Sequence, residues 1–274
     1  MTTRGILRPE AGLRHFDLDR APPPDDLAPF VEALWTVRWA LDPATPFAQE
    51  ILPFPCVNLA CEEPSFAADA DETQQARGFY AHGPGTRRFV AELTGEGWVA
   101  GVRFRPAGFF AFAALPMKAL LDRVVPAEEA MGRAPPQAPD TPEAGRAALV
   151  AYLRSFELPA PDPELLEVNA LVDRAQADRT VARADDLARA AGLSVRSLHR
   201  RLERYVGVSS KWIVRRARVQ DAAERVARGE PVEWAAVAQE LGYHDQAHLV
   251  RDFKAQLGFT PAAYAKRCAE AREG

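Results

Sequence analysis

The sequence predicts an α+β protein in two parts. A β-rich, barrel-like N-terminal domain with flanking helices precedes an all-α C-terminal domain of two helix-turn-helix units joined by a linker helix. Two patterns and a charge shift predict it. Up to about residue 104, apolar residues come in short alternating runs divided by turn residues. Beyond residue 162 only helical periodicity remains. The charge also changes sign: residues 1–164 carry 15 Lys and Arg against 23 Asp and Glu, whereas residues 165–274 carry 19 against 15. The net charge of −4 over 274 residues therefore hides a basic C-terminal part. The expected division is 1–133 for a sensing or assembly domain, 134–163 for a proline-rich connector with a helix, and 164–274 for the helical domain.

From Phe30 to Leu41, Val31, Ala33, Trp35, Val37, Trp39 and Leu41 share one parity, opposite Glu32, Thr36 and Arg38. Period two predicts a strand with one face buried. Further strands are expected over 49–52, 57–61, 78–82, 87–93 and 98–104, with Thr94-Gly95-Glu96-Gly97 as the hairpin turn between the last two. Pro106 opens helical sequence whose Phe109, Phe110, Phe112, Leu115, Leu120 and Leu121 are expected to pack on the sheet. Residues 133–142 and 158–163 are proline-rich and flank a helix predicted over 143–156.

In the C-terminal part, Asp185 to Ala191 outline a short helix ended by Gly192. Leu193 follows as a buried spacer, and Ser194 caps a helix from Val195 to about Tyr205. Leu198, Leu202 and Tyr205 form its inner stripe, and Arg196, Ser197, His199, Arg200 and Arg204 lie elsewhere. A helix, a tight glycine turn and a basic second helix make a helix-turn-helix. The pattern repeats with Val232 to Leu241, Gly242, the spacer Tyr243, the cap Asp245, and a helix with Leu249 and Phe253 inside. Gln246, Ala247, His248, Arg251 and Lys254 are its remaining faces. Residues 211–229 between the units predict one long helix with Trp212, Val219, Ala222 and Val226 inside. About 18 residues span roughly 27 Å at 1.5 Å each, compatible with two reading helices in successive major grooves.

The stretch from Leu241-Gly242-Tyr243 through Arg251-Asp252-Phe253-Lys254 to Gly258-Phe259-Thr260-Pro261-Ala262-Ala263-Tyr264 resembles the DNA-binding domain of the AraC/XylS family of bacterial transcription regulators. The resemblance covers about 100 residues, both units and the linker. It departs at Arg225-Val226, where the family commonly has Leu-Leu, which predicts looser packing there. It implies that Arg196, His199 and Arg200 occupy base-reading positions, with Gln246, His248 and Arg251 their counterparts and Ala247 at a position where a longer polar residue would make a contact, which reduces base reading there. Arginine forks meet guanine O6 and N7, and alanine meets a thymine methyl. Ser197 lies on the first reading helix. Arg204, Lys211, Arg215 and Lys254 suit phosphates, and Arg218 is implied to tie the domain together. Arg201 is left open between the domain interior and solvent. More faintly, Glu50-Ile51-Leu52-Pro53, Cys56-Val57-Asn58-Leu59 and Gly101 to Gly108 resemble the β-rich N-terminal domain of one branch of these regulators.

The expected partners are double-stranded DNA, a small-molecule effector, RNA polymerase for an activator, and a second copy as a homodimer. The effector site is expected between the sheet and the Phe-rich helix, with candidates Trp35, Trp39, Trp98, Arg103 and Arg105. No enzyme activity, cofactor, metal or membrane is expected. His15 and His82 are the only histidines of the N-terminal half, Cys56 and Cys61 lack a second pair for zinc, and no apolar run reaches the roughly 20 residues of a membrane span. A fused DNA-repair alkyltransferase would need Pro-Cys-His-Arg, where this chain has Phe54-Pro55-Cys56-Val57. Three cysteines and an N-terminus without an apolar leader core predict a cytoplasmic protein.

Overall fold

The computed structural model describes residues 6–273 apart from 53, 63–76, 158, 159, 179 and 231. Pro53 of the N-terminal resemblance and Leu158 and Pro159 of the second proline-rich joint lie outside the described residues.

The N-terminal part holds a short helix α1 (Pro9–Gly12) and eight strands: β1 (Asp17–Ala21), β2 (Val31–Ala40), β3 (Phe47–Ile51), β4 (Asn58–Glu62), β5 (Gly78–His82), β6 (Phe89–Leu93), β7 (Glu96–Phe104) and β8 (Val124–Pro126). Six form an antiparallel sheet in the order β1-β2-β7-β4-β5-β8, and β3 pairs with β6 in a second sheet. The barrel-like expectation is thus met only as two sheets facing each other; among the described residues they do not close. Gly95 makes the β6–β7 turn with a φ of 57°, the left-handed backbone such a turn demands. The edge strands β1 and β8 were not foreseen. Where a continuous helix was expected after Pro106, the chain makes two 3₁₀ turns, Gly108–Ala111 and Met117–Leu120.

Both faces of the large sheet are covered. On one, Trp98, Ala100, Val102 and Phe104 of β7 pack with Phe109, Phe112 and the helix α3 (Pro142–Arg154), which follows the short helix α2 (Ala127–Met131). Gly145 lets α3 approach, since a Cβ there would stand 2.8 Å from the Trp98 ring. The helix of the expected connector is therefore part of this core. On the other face, Leu18, Ala60 and Val99 meet Ala91 and Leu93 of β6 in a smaller core. Beside it, between the sheets, lies a cavity of ≈ 930 Å³. On strand β2 Glu32 and Arg38 are exposed as expected, but Thr36 is buried beside Leu34, and Trp35 and Val37 line the cavity on the other side. A register shift between Val31 and Ala33 also breaks the strict alternation.

The helical part comprises α4 (Pro163–Ala177), α5 (Ala184–Ala190), α6 (Val195–Tyr205), α7 (Ser210–Ala227), α8 (Trp234–Glu240), α9 (Gln246–Leu257) and α10 (Pro261–Glu273). Its first unit does not form a core of its own. The sheet–α3 core runs on through Leu165, Val168 and Val172 of α4 into Leu198, Leu202 and Tyr205 of α6. Asn169 Oδ1 accepts the Ala107 N–H at 2.8 Å across the boundary. A second core, with Val237, Leu241, Leu249, Phe253 and Tyr264, takes in Leu7 and Leu52 from the N-terminal part.

Candidate nucleic-acid interface

Helices α5 and α6 form the first unit. Asp186 accepts the Arg183 N–H at 2.9 Å, capping the start of α5. Gly192 turns the chain at a φ of 66°. Ser194 Oγ then accepts the Ser197 N–H at 3.1 Å, which starts α6 where the sequence placed it. Leu198, Leu202 and Tyr205 are buried, so Arg196, His199, Arg200 and Arg204 are left exposed, with Ser197 half-buried. Leu193 is half-buried rather than buried. Arg201 turns inward: its Nε lies 2.9 Å from Glu164 and its Nη1 2.5 Å from Glu167, pinning α6 to α4.

The second unit repeats this with α8 and α9. Gly242 turns at a φ of 74°, and Asp245 accepts the His248 N–H at 2.7 Å. The cap and the neighbouring His244 ring hold the Asp245 carboxyl below the usual carboxylate range. Gln246, Ala247, Arg251 and Lys254 are exposed. His248 and Arg215 are engaged inside the domain: Arg215 Nη2 meets His248 Nε2 at 3.3 Å, Arg215 Nε lies 3.4 Å from Asp252, and the His248 ring packs edge-on to Tyr243.

Between the units α7 is 18 residues long, capped by Ser209, which accepts the Trp212 N–H at 3.1 Å. Lys211 is exposed at its start. Arg218 is buried and donates to the carbonyl of Asp178 at 3.0 Å and to that of Val181, tying α7 to the α4–α5 loop. Arg225 does not loosen the linker as expected. It makes a fork to Glu240 at 2.7 Å on both oxygens and a 3.3 Å contact to Asp221, so an ion pair links α7 to α8.

Residues 187–267 match the family model described as a helix-turn-helix domain, and residues 19–126 match one described as a domain of unknown function, DUF6597. The C-terminal domain is an AraC-type helix-turn-helix domain. No curated protein matches the chain. Among solved structures, the C-terminal domain of AraT, a response regulator from Geobacillus stearothermophilus, is 21% identical over 39% of this chain and 86% of its own, with a TM-score of 0.33. ToxT from Vibrio cholerae is 10% identical over 92% of this chain and 98% of its own, with a TM-score of 0.37. The domain family is one of DNA-binding transcription regulators.

Besides the α4 packing and the Asn169–Ala107 hydrogen bond, the AraC-type domain is held at three further places. At the first unit, the rings of Phe110 and Tyr205 lie 4.5 Å apart, the Arg204 guanidinium sits 5.5 Å over Phe110, and Lys118 is 3.0 Å from Glu203. That lysine holds the Glu203 carboxyl below its ordinary range. At α7, Arg216 is buried and lies 4.4 Å from the Phe54 ring centre. At the second unit, the Arg88 N–H donates to the Gln256 carbonyl at 2.8 Å. Beside it the Glu50 carboxylate, only 6% exposed, accepts from Arg8 at 3.2 Å, from Arg267 of α10 at 3.3 Å and from Arg88. The Arg88 and Arg267 guanidiniums lie 4.8 and 4.0 Å from the Phe259 ring.

The expected ligand residues are dispersed. The cavity lies on the opposite face of the large sheet from Phe109 and Phe112, whose rings are buried in the core with α3. Trp35 and Arg103 line it. Trp39 donates to the Thr94 carbonyl at 3.1 Å, Trp98 packs against α3, and Arg105 donates to the Ala28 carbonyl at 2.8 Å; none of the three lines the cavity. Arg20, Phe54, Glu50 and Arg88 were not singled out by sequence. Only Arg20 left a trace, as it shares parity with Leu18. The three cysteines are buried and form no disulfide. Among the described residues, no group of three or more His, Cys, Asp or Glu could hold a metal ion, and no helix is long and apolar enough to cross a membrane.

Proposed function

We propose that the chain is a cytoplasmic, sequence-specific transcription regulator whose helices α6 and α9 enter successive major grooves and whose DNA reading responds to a small molecule in the N-terminal domain. The observation that carries the reading is the pair of exposed polar faces, Arg196, His199 and Arg200 on α6 and Gln246, Ala247, Arg251 and Lys254 on α9, on units joined by one rigid helix. The first face is the richer in arginine and does most of the base reading. Arg204, Lys211 and Lys254 serve phosphates, while Arg215 and His248 chiefly shape the second unit.

The response has a mechanical basis. The first unit rests on the 3₁₀ turns that pack on the large sheet, and the second is clamped by Glu50 of β3 and Arg88, next to β6. The cavity lies between those two sheets. A molecule that binds better at one sheet spacing favours one placement of the two reading helices over another. As an activator the protein would also touch RNA polymerase. One chain carries both reading heads, so a homodimer adds sites without being required for the first.

Footprinting and gel-shift titration on the promoter beside its own gene test the reading. A protected site spanning two successive major grooves on one side of the duplex, with Arg200→Ala losing about 1–3 kcal/mol of discrimination at one base pair, is the expected result. Lys254→Ala should weaken binding to all sequences and lower the salt slope by about one. No protection and no salt-dependent DNA binding would sink it.

A further inference from the structure

The exposed face of α6 carries one carboxylate. Arg196, His199, Arg200 and Glu203 follow one another at helical spacings, so they form one stripe along the helix. The first three are the proposed readers, and Glu203 closes the row. Its side chain is 42% exposed, and its carboxylate lies 3.8 Å from His199 Nε2. A carboxylate at that place meets the DNA backbone as a like charge, which costs affinity. The neighbouring Arg204 turns the other way: its guanidinium sits over Phe110 and Tyr205 and 3.7 Å from Glu164.

The matching cation comes from the N-terminal part. Lys118, in the second 3₁₀ turn, places its ammonium 3.0 Å from Glu203. The backbone of that turn is fixed from two sides. Met117 and Leu120 are buried in the core of the large sheet. Gly207, just past the end of α6, lies so near that a Cβ would stand 2.7 Å from the Met117 carbonyl oxygen. The Lys118 side chain is nonetheless 71% exposed. An exposed pair of this kind adds little to stability. Its consequence lies in the charge that α6 presents to DNA.

We infer that Lys118 is a positioning residue of the DNA interface: from the N-terminal domain it cancels the charge of Glu203 at the end of the α6 stripe, so that the first unit meets the phosphates without a repelling carboxylate. This rests on the reading of α6 as a groove helix, and it extends the DNA-reading surface beyond the AraC-type domain. The charge acts on the phosphate backbone, so its effect is the same for every base sequence.

Gel-shift titration of the full chain on the promoter fragment, at low and at high salt, tests it. Lys118→Met should weaken binding about three- to tenfold at low salt, and the ratio should shrink at high salt, where surface charge is screened. Lys118→Arg should keep wild-type affinity. Glu203→Gln should bind about two- to fivefold more tightly than wild type at low salt, because it leaves the Lys118 charge unopposed. The double variant Lys118→Met/Glu203→Gln should return to wild-type affinity, with thermal melting showing that each variant is folded. A mere clamp between the two parts of the chain predicts otherwise: Glu203→Gln would then weaken binding as Lys118→Met does. A phosphate contact made by Lys118 itself would leave the double variant as weak as Lys118→Met. Either result overturns the inference, and so does wild-type affinity in folded Lys118→Met. Wild-type protein that binds no DNA removes the regulator reading and this inference with it; wild-type protein that binds, beside an unchanged Lys118→Met, removes the inference alone.

Discussion

Single residues decide where the two reading helices begin, and their signals are local enough to be read in sequence. Ser194 and Asp245 cap α6 and α9 because each accepts the N–H three residues on, and Gly192 and Gly242 turn the chain before them with positive φ. The two glycines are not equivalent. A Cβ at Gly192 meets nothing within 4 Å, whereas at Gly242 it would stand 2.5 Å from the Ala182 Cβ. Gly192→Ala should therefore cost only the left-handed backbone penalty, about 1–2 kcal/mol. Gly242→Ala should cost more, because the α4–α5 loop must also move. Urea unfolding of the two variants checks this, and equal losses would refute the steric part. Glu50 shows the opposite case of legibility. Nothing in its neighbours along the chain announces a carboxylate shared by three arginines, two of them 38 and 217 residues away.

Elements were legible where burial follows one period. The helix α6 falls on expectation because one stripe is buried and the other is wet, and α7 and β5 fall within a residue or two of expectation although both are buried on more than one face. The misses are elements whose surroundings are set by distant chain. Strands β1 and β8 are five and three residues long and have too few alternations to stand out. Strand β2 reads as half-buried because sequence cannot reveal that α3 returns to cover the face of Leu34 and Thr36 as well, and it cannot reveal that β3 and β6 enclose the cavity on the other side of the sheet. At this scale pH acts on α9 through its cap. The Asp245 carboxyl is depressed when folded, so its contribution is present above the unfolded carboxylate value near 4 and is lost as pH falls through the lower folded value. Asp245→Asn keeps a capping oxygen but no charge. The melting-temperature gap between wild type and Asp245→Asn should thus be largest near pH 6 and shrink toward pH 3. A gap independent of pH would show that the charge at this cap is irrelevant.

The whole molecule has two unequal attachments of its DNA-reading units, and this follows from how the cores are joined. The first unit shares one continuous apolar core with the large sheet and α3, from Phe104 and Phe109 through Val168 to Leu198 and Leu202. Buried side chains of this size contribute about 1.5–3 kcal/mol each, so the first unit does not part from the sheet without unfolding it. The second unit has its own core and is tied to the N-terminal part by Leu7, Leu52 and the Glu50 cluster. On the proposed reading, its placement is the one an event in the cavity alters. Breaking one member of a buried ion cluster costs about 3–5 kcal/mol because the partners are left unmatched. Glu50→Gln leaves Arg8, Arg88 and Arg267 facing one another with a neutral amide among them. Hydrogen exchange should then speed up across α8, α9 and α10, while α4, α5 and α6 keep wild-type protection. The same variant should lose DNA affinity on operators with a fixed spacing of the two half-sites more than on a single first half-site, because only the second reading helix is set free. Uniform acceleration of exchange across both units would mean that the helical domain moves as one body, and the division of labour between the two sheets would fall with it.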